Sequence, residues 1–147
     1  MNCVAEIETE KPVAAEVIAL RLPAGLLGFE HMKDYVLIAN PAEAPFHWLQ
    51  VKDDAGLAFV VMDPFLAAPD YQPDIPQADV EALSLEQVSD ALLLNIVTVH
   101  GPARATVNLK GPIVINRRTR VARQVVIANA ASYSVQHPLP IGETANA

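Results

Sequence analysis

The 147-residue chain is 52% hydrophobic with a net charge of −7, so it can bury the core of one domain and has little room for a second. No apolar run reaches the roughly 18 residues needed to span a bilayer, and three glutamates stand at the N-terminus where a secretory signal would be basic and then apolar. We therefore expect no membrane segment. The single cysteine, Cys3, cannot form an internal disulfide, which agrees with a reducing compartment, so we expect a cytoplasmic protein.

Strand signals dominate the start of the chain. Residues 13–22 are predicted to include a first strand, which Pro23 closes. A turn-rich segment follows, in which Gly25 and Gly28 can adopt backbone angles that other residues avoid. The short apolar run over residues 35–40 is predicted as a second strand.

The most distinctive segment is a predicted hairpin within residues 45–65. Its two strands, residues 46–51 and 57–62, are rich in β-branched and aromatic residues and flank a polar turn. The segment contains the only tryptophan, Trp48, and three of the four phenylalanines of a chain with 5% aromatic residues. This concentration favours a tightly specified core hairpin, and no catalytic group is obvious inside it.

A proline-rich stretch follows the hairpin. Its prolines are predicted to prevent regular strand or helix and to give an ordered, extended crossover; they are Pro64, Pro69, Pro73 and Pro76. The last of them can occupy the first turn of a short helix, with Val80 and Leu83 facing the core. Ser84 and Gln87 have the spacing of a capping box, which predicts a second short helix over residues 85–90.

The rest of the chain is again β-like. The apolar run at residues 92–99 is too continuous to be half exposed, so it is predicted as a central strand. Further strands are predicted at residues 105–109, 113–116 and 121–127. This pattern is typical of a sandwich or barrel, and closure would remove exposed strand edges.

We therefore expect a mainly β protein: a small closed or nearly closed antiparallel β-barrel-like domain with one or two short helices. Residues 1–139 are expected to form this single domain. Residues 140–147 are small or polar and are expected to form a flexible C-terminal tail.

The charged residues are distributed unevenly. Residues 1–100 carry 16 acidic and 4 basic side chains, whereas residues 101–147 carry 1 acidic and 6 basic ones. Such separation serves solubility or the steering of a charged partner. Four arginines cluster at the predicted turn between two of the last strands: Arg117, Arg118, Arg120 and Arg123. No aromatic residue interleaves with them and the rest of the chain is acidic, so direct nucleic-acid binding is not expected.

No sequence pattern indicates catalysis or a metal site. The four histidines lack ligand spacing, and neither a G-x-S-x-G nor a P-loop motif is present. Asp53 and Asp54 are better explained by the turn in which they lie. Asp63, at the end of a predicted strand, could be catalytic, but capping of the next loop is favoured. We expect no catalytic residue, metal or cofactor, and hence no enzyme.

Six segments occur in the order and at the spacing of one known family. They are LPAGLLGFE (22–30), PFHWLQ (45–50), LAFVVMDPF (57–65), PDY (69–71), GPIVIN (111–116) and QHPL (136–139). Through them the chain resembles the flagellar assembly factor FliW family over about residues 20–139. The resemblance implies a small, mostly β, barrel-like binding protein without catalysis.

The resemblance also implies two protein partners. Members of the family bind CsrA, the carbon storage regulator, an RNA-binding translational repressor, and relieve its repression of flagellin synthesis. They also bind flagellin, which competes for the factor, and their action on CsrA is thought to lie away from its RNA groove. The acidic body of this chain is compatible with that role, since CsrA must be basic where it holds RNA. We expect a monomer that binds CsrA and flagellin.

The acidic crossover is the predicted partner-binding surface. Its acidic members are Asp63, Asp70, Asp74, Asp79 and Glu81. Phe65 and Tyr71 are expected to be exposed apolar anchors, the residue types favoured in binding hot spots. The alternative is that these two rings only pin the crossover to the barrel. Two rival functions stay open, namely a small-molecule-binding β-barrel and direct RNA binding through residues 117–123.

Overall fold

The computed structural model describes residues 16–54 and 56–139. The strands are β1 (Glu16–Arg21), β2 (Asp34–Ala39), β3 (Phe46–Val51), β4 (Ala58–Met62), β5 (Ala91–Gly101), β6 (Arg104–Val107), β7 (Ile113–Asn116), β8 (Ala122–Gln124) and β9 (His137–Leu139). The α-helices are α1 (Pro64–Ala67) and α2 (Gln77–Ala82), and 3₁₀ turns occupy Pro41–Glu43, Val88–Asp90 and Ala130–Ser132. Cys3, residues 13–15 of the predicted first strand and the predicted tail 140–147 lie outside the described residues.

The sheet branches at its longest strand, β5. Strands β1 to β5 pair antiparallel in chain order. The first half of β5 pairs with β7, where Leu92 lies opposite Ile115, and the second half pairs with β6, where Val97 lies opposite Val107. β9 extends the sheet beyond β6, and β8 extends it beyond β7. The chain thus forms one branched sheet of nine strands within the described residues.

The β7–β8 arm brings the sheet back to its first strand. Arg21 at the end of β1 forms a bridge with Val121, and its backbone N–H donates to the carbonyl of Arg120 at 3.1 Å. The barrel is therefore nearly closed, which confirms the predicted fold class. Eight of the strands lie where the sequence predicts them, and β9 is an additional one.

The two faces of the curved sheet build two cores. Side chains alternate along each strand, so one set points into the barrel and packs around Leu37, Leu49 and Val61. The other set lies on the outside, where Met62 and Val107 belong to a second core that the crossover covers. β5 contributes to both cores, which explains why its apolar run is continuous.

The β3–β4 hairpin is confirmed, but Trp48 is not a core residue. The alternation of β3 places Leu49 inside the barrel and Trp48 outside, where the indole is 41% exposed. Its N–H donates to the carboxylate of Glu43 at 3.3 Å. The concentration of aromatic residues predicts the strands correctly, but it does not reveal which face each ring occupies.

The prediction that prolines exclude helix from the crossover is wrong at its start. α1 begins at Pro64. Proline is tolerated at the first helical position because the backbone N–H that it lacks would have no acceptor within the helix. α2 begins after Pro76 with Leu83 buried at its end, as predicted. The second predicted helix is only the 3₁₀ turn Val88–Asp90, and Gln87 pairs with Asp90 in its capping box. Ser84 instead ends α2 in the left-handed region, with φ of 56°.

Candidate protein-binding groove

The crossover between β4 and β5 begins with a capped turn. The carboxylate of Asp63 accepts a hydrogen bond from the backbone N–H of Phe65 at 2.8 Å. Pro64, between them, is buried and starts α1. The favoured explanation of Asp63, that it caps the next loop, therefore agrees with the structure.

Tyr71 fixes the middle of the crossover. Its side chain is only 3% exposed, and its hydroxyl donates to the carbonyl oxygen of Leu109 at 2.6 Å. The ring packs edge-on against Tyr133 with centroids 4.9 Å apart, and Phe65 lies 5.8 Å away on the solvent side. Burial raises the pKa of the Tyr71 phenol, so the hydroxyl stays protonated as a donor. The prediction of Tyr71 as an exposed anchor is wrong, because its hydroxyl has a buried acceptor.

A groove of about 690 Å³ lies between the crossover, α2 and the first half of β5. Buried Val114 and half-buried Leu93 lie at its base. Phe65 and Val88 lie at its edges, with side chains that are 43% and 93% exposed. Exposed apolar side chains around a concave apolar surface are typical of a binding site.

Charged residues at the groove are acidic on balance. Asp63 and Glu86 line it, and Arg117 is the basic residue that does so. Sequence reasoning missed Glu86 and Val88, and it assigned Arg117 to the basic cluster rather than to the groove. Val88 could have been noticed as an apolar residue in the polar stretch from residue 86 to 90, but its exposure follows from the 3₁₀ turn that carries it.

An ion pair supports the 3₁₀ turn at the edge of the groove. Buried Asp90 accepts backbone N–H groups from Glu86 and Gln87 at 3.0 and 3.2 Å, and the Nε of Arg118 lies 3.3 Å from its other oxygen. The hydrogen bond from the Glu86 N–H, reinforced by Arg118, holds the pKa of Asp90 below its ordinary value. Asp90 therefore carries its charge at neutral pH and holds the turn that presents Val88.

The structure distributes the seven predicted binding residues among several roles. Those that line the groove are Asp63, Phe65 and Tyr71. Asp70 and Asp74 are exposed on the same crossover, and Glu81 is exposed on α2. Asp79 instead forms an ion pair with Arg123, whose Nε lies 2.9 Å from the aspartate Oδ1. The predicted acidic surface is thus brought together only in part.

The four arginines at residues 117–123, which form the basic hairpin tip and its border between β7 and β8, are partly neutralised by ion pairs within the chain. Arg118 pairs with Asp90, and Arg123 pairs with Asp79. Arg117 and Arg120 are exposed at the tip, and Arg120 has φ of 64°. Two of the four arginines therefore stabilise contacts within the chain, which weakens the case for a phosphate-binding tip.

Over residues 16–54 and 56–139, no group of three or more His, Cys, Asp or Glu side chains is placed to hold a metal ion. Within the same ranges, no helix is long and apolar enough to cross a membrane.

Comparison with known proteins decides the family. The model of the FliW protein family matches residues 4–139. The chain belongs to the FliW family. The flagellar assembly factor FliW of Leptospira interrogans serogroup Icterohaemorrhagiae serovar copenhageni (strain Fiocruz L1-130) is 38% identical over 139 residues, covering 91% of this chain and 92% of the relative. That of Alkaliphilus metalliredigens (strain QYMF) is 40% identical over 120 residues, covering 80% and 74%.

A solved structure supports the same assignment. The crystal structure of a flagellar assembly factor FliW superimposes with a TM-score of 0.74 at 34% sequence identity. The match covers 81% of this chain and 83% of that one. The branched, nearly closed sheet is therefore the FliW fold.

Removal of the Tyr71 hydroxyl is expected to destabilise this FliW-family chain. Tyr71→Phe leaves the Leu109 carbonyl without its donor and should lower the free energy of unfolding by about 1–2 kcal/mol. Urea denaturation measures the loss. The matched control is Tyr133→Phe, whose hydroxyl accepts from the backbone of Gln72 at an exposed site and should cost less. Equal stability of Tyr71→Phe and the unsubstituted chain would contradict the pinning role.

Asp90 gives the fold a defined pH dependence. Because the folded state holds its pKa below the unfolded value of about 3.9, its stabilising contribution is present above that pH and is lost as pH falls through the lower folded value. Asp90→Asn should therefore be less stable than the unsubstituted chain at pH 7, and the difference should shrink below about pH 4. Thermal unfolding across pH measures it, with the exposed turn residue Asp53→Asn as control. A difference that does not change with pH contradicts the assignment.

Proposed function

We propose that this FliW-family chain regulates flagellar assembly by binding the translational repressor CsrA, and that flagellin competes for it. In this account the chain relieves the repression of flagellin mRNA by CsrA, and free flagellin reverses that effect. Membership of the family carries the proposal, since the relatives are named flagellar assembly factors. CsrA and flagellin are the partners that the family resemblance implies.

The groove supplies the physical argument for CsrA. An RNA-binding protein is basic around the site where it holds RNA, and the crossover offers a surface of the opposite charge that can dock beside that site rather than in it. Asp63 and Glu86 line the groove, while Asp70 and Asp74 are exposed on the adjoining crossover. A partner docked there would meet the apolar side chains of Phe65 and Val88 inside an acidic border. An acidic body held close to the RNA site would also repel the RNA backbone.

Binding without catalysis is the mode of action that we propose. Carboxylates near the groove have structural partners: Asp63 caps α1, Asp79 pairs with Arg123, and Asp90 pairs with Arg118. Such groups hold the crossover and the 3₁₀ turn in place. We further propose that the chain acts in the cytoplasm as a monomer, where it meets both partners.

A small-molecule site is the second candidate for the same groove. Its volume of about 690 Å³ lies within the range of roughly 300–1,000 Å³ that such sites occupy. A saturable stabilisation of several degrees by a metabolite, which Val88→Lys abolishes, would favour this candidate over the protein partner.

Charge reversal on the crossover tests the CsrA proposal. Asp70→Lys/Asp74→Lys should weaken CsrA binding by about tenfold or more, because two attractive charges become repulsive. Titration calorimetry at two salt concentrations measures the affinity. The control variant, Asp53→Lys/Asp54→Lys, changes the net charge equally on the exposed β3–β4 turn and should change the affinity much less. Retention of CsrA at unchanged affinity by the crossover variant would remove the crossover from the interface.

A further inference from the structure

The groove along the first half of β5 has two chemically different ends. The strand register shows how far apart they are: Met62 at the end of β4 lies opposite Asn95, and Asn116 at the end of β7 lies opposite Ala91. The four residue steps from Ala91 to Asn95 span about 13 Å along an extended strand. The residues that follow β4 and those that follow β7 therefore reach the groove from opposite ends.

A carboxylate lies at the first end. Asp63 follows Met62 directly and lines the groove, half-buried beside the exposed ring of Phe65. One carboxylate oxygen, Oδ1, accepts the backbone N–H of Phe65 at 2.8 Å, and the second oxygen can accept a hydrogen bond from a partner. No ion pair among the described residues includes Asp63. This end of the groove therefore favours a basic side chain.

A guanidinium lies at the second end. Arg117 follows β7, lines the groove with an exposed side chain, and donates its backbone N–H to the carbonyl of Asp90 at 2.8 Å. The two carboxylates nearby, of Glu86 and Asp90, are paired with Arg118, whose nitrogens lie 3.9 and 3.3 Å from them. Arg117 itself forms no ion pair within residues 16–54 and 56–139. Its guanidinium is thus available to an acidic side chain of a partner.

Between these two charges the groove is apolar. Leu93 and Val114 lie at its base, and Ile75 and Val80 line it from the crossover and from α2. A charged side chain that leaves water to enter such a groove needs a partner of the opposite sign to offset its lost hydration. A segment that fits must therefore be apolar in its middle and carry opposite charges at its two ends, in one order only.

We propose that the groove binds a partner segment in one direction, with a basic side chain at Asp63, apolar side chains along β5 and an acidic side chain at Arg117. The inference rests on the proposed function, in which CsrA is the partner, and adds the chemistry and the orientation of the segment that docks. Acidic charge alone would attract a basic protein in any orientation. Two opposite charges about 13 Å apart instead fix the direction and register of the segment.

Charge reversal of Arg117 separates a directional site from simple attraction. Arg117→Glu makes the groove more acidic, so attraction of a basic partner alone predicts tighter CsrA binding. The directional site predicts a loss of affinity of about tenfold, because a carboxylate would then face the acidic side chain of the segment. Titration calorimetry measures the affinity. The matched control, Arg120→Glu, makes the same charge change at an exposed tip residue that does not line the groove, and it should leave CsrA affinity within about twofold.

Asp63→Asn tests the other end of the groove. The amide oxygen of this variant can still accept the N–H of Phe65, so the cap and the fold should be retained while the charge is lost. Thermal unfolding checks that retention. CsrA affinity should fall by about fivefold at low salt, and the difference from the unsubstituted chain should shrink at high salt.

Photo-crosslinking tests the direction itself. With p-benzoylphenylalanine in place of Asp63 or of Arg117, both crosslinks should fall on one CsrA segment, and an acidic residue should lie beside the one from position 117. Unchanged or tighter CsrA binding by Arg117→Glu, unchanged binding by Asp63→Asn, or crosslinks on two separate segments would each overturn the directional site. A chain that binds no CsrA before substitution would instead overturn the proposed function.

Discussion

The hydrogen bond from the Tyr71 hydroxyl to the Leu109 carbonyl holds the crossover on the outside of the sheet, and the groove depends on that position. Around it, the Tyr133 ring and the second core exclude water from one side of the segment. Asp63 caps the first turn of the crossover, and Leu83 is buried at the end of α2. A stretch rich in proline, with few backbone donors, is thus ordered by side chains rather than by a strand ladder.

The uneven distribution of charge along the sequence allows long-range ion pairs to form in the folded chain. Arginines of the basic C-terminal part reach back to aspartates of the acidic part, as Arg118 does to Asp90 and Arg123 does to Asp79. These pairs fasten the 3₁₀ turn and α2 to the β7–β8 arm. Asp70 and Asp74 are left exposed on the crossover, which makes that surface available for steering a basic partner.

Most strands could be predicted from the sequence because their composition is a local property. β3 and β7 occupy the residues expected for them, whereas β9 has a proline at its centre and no β-branched residue, so its composition gives no strand signal. The sequence does not predict that Trp48 lies on the outside of the barrel. Alternation separates the side chains of a strand into two sets, but it does not say which set points inward. The burial of Tyr71 and the pairing of Asp79 depend on partners 38 and 44 positions away, Leu109 and Arg123. About half of the candidate site was therefore accessible to sequence reasoning, namely the crossover itself and Phe65.

In the proposed function, CsrA docks at the crossover groove. Hydrogen–deuterium exchange of the full chain, alone and with saturating CsrA, tests it most directly because it reports every segment at once. We expect slower exchange over residues 65–75 and 86–90 when CsrA is bound, and unchanged exchange in the β3–β4 hairpin. Protection confined to the β3–β4 hairpin, or to the arginine tip at residues 117–120, would contradict it.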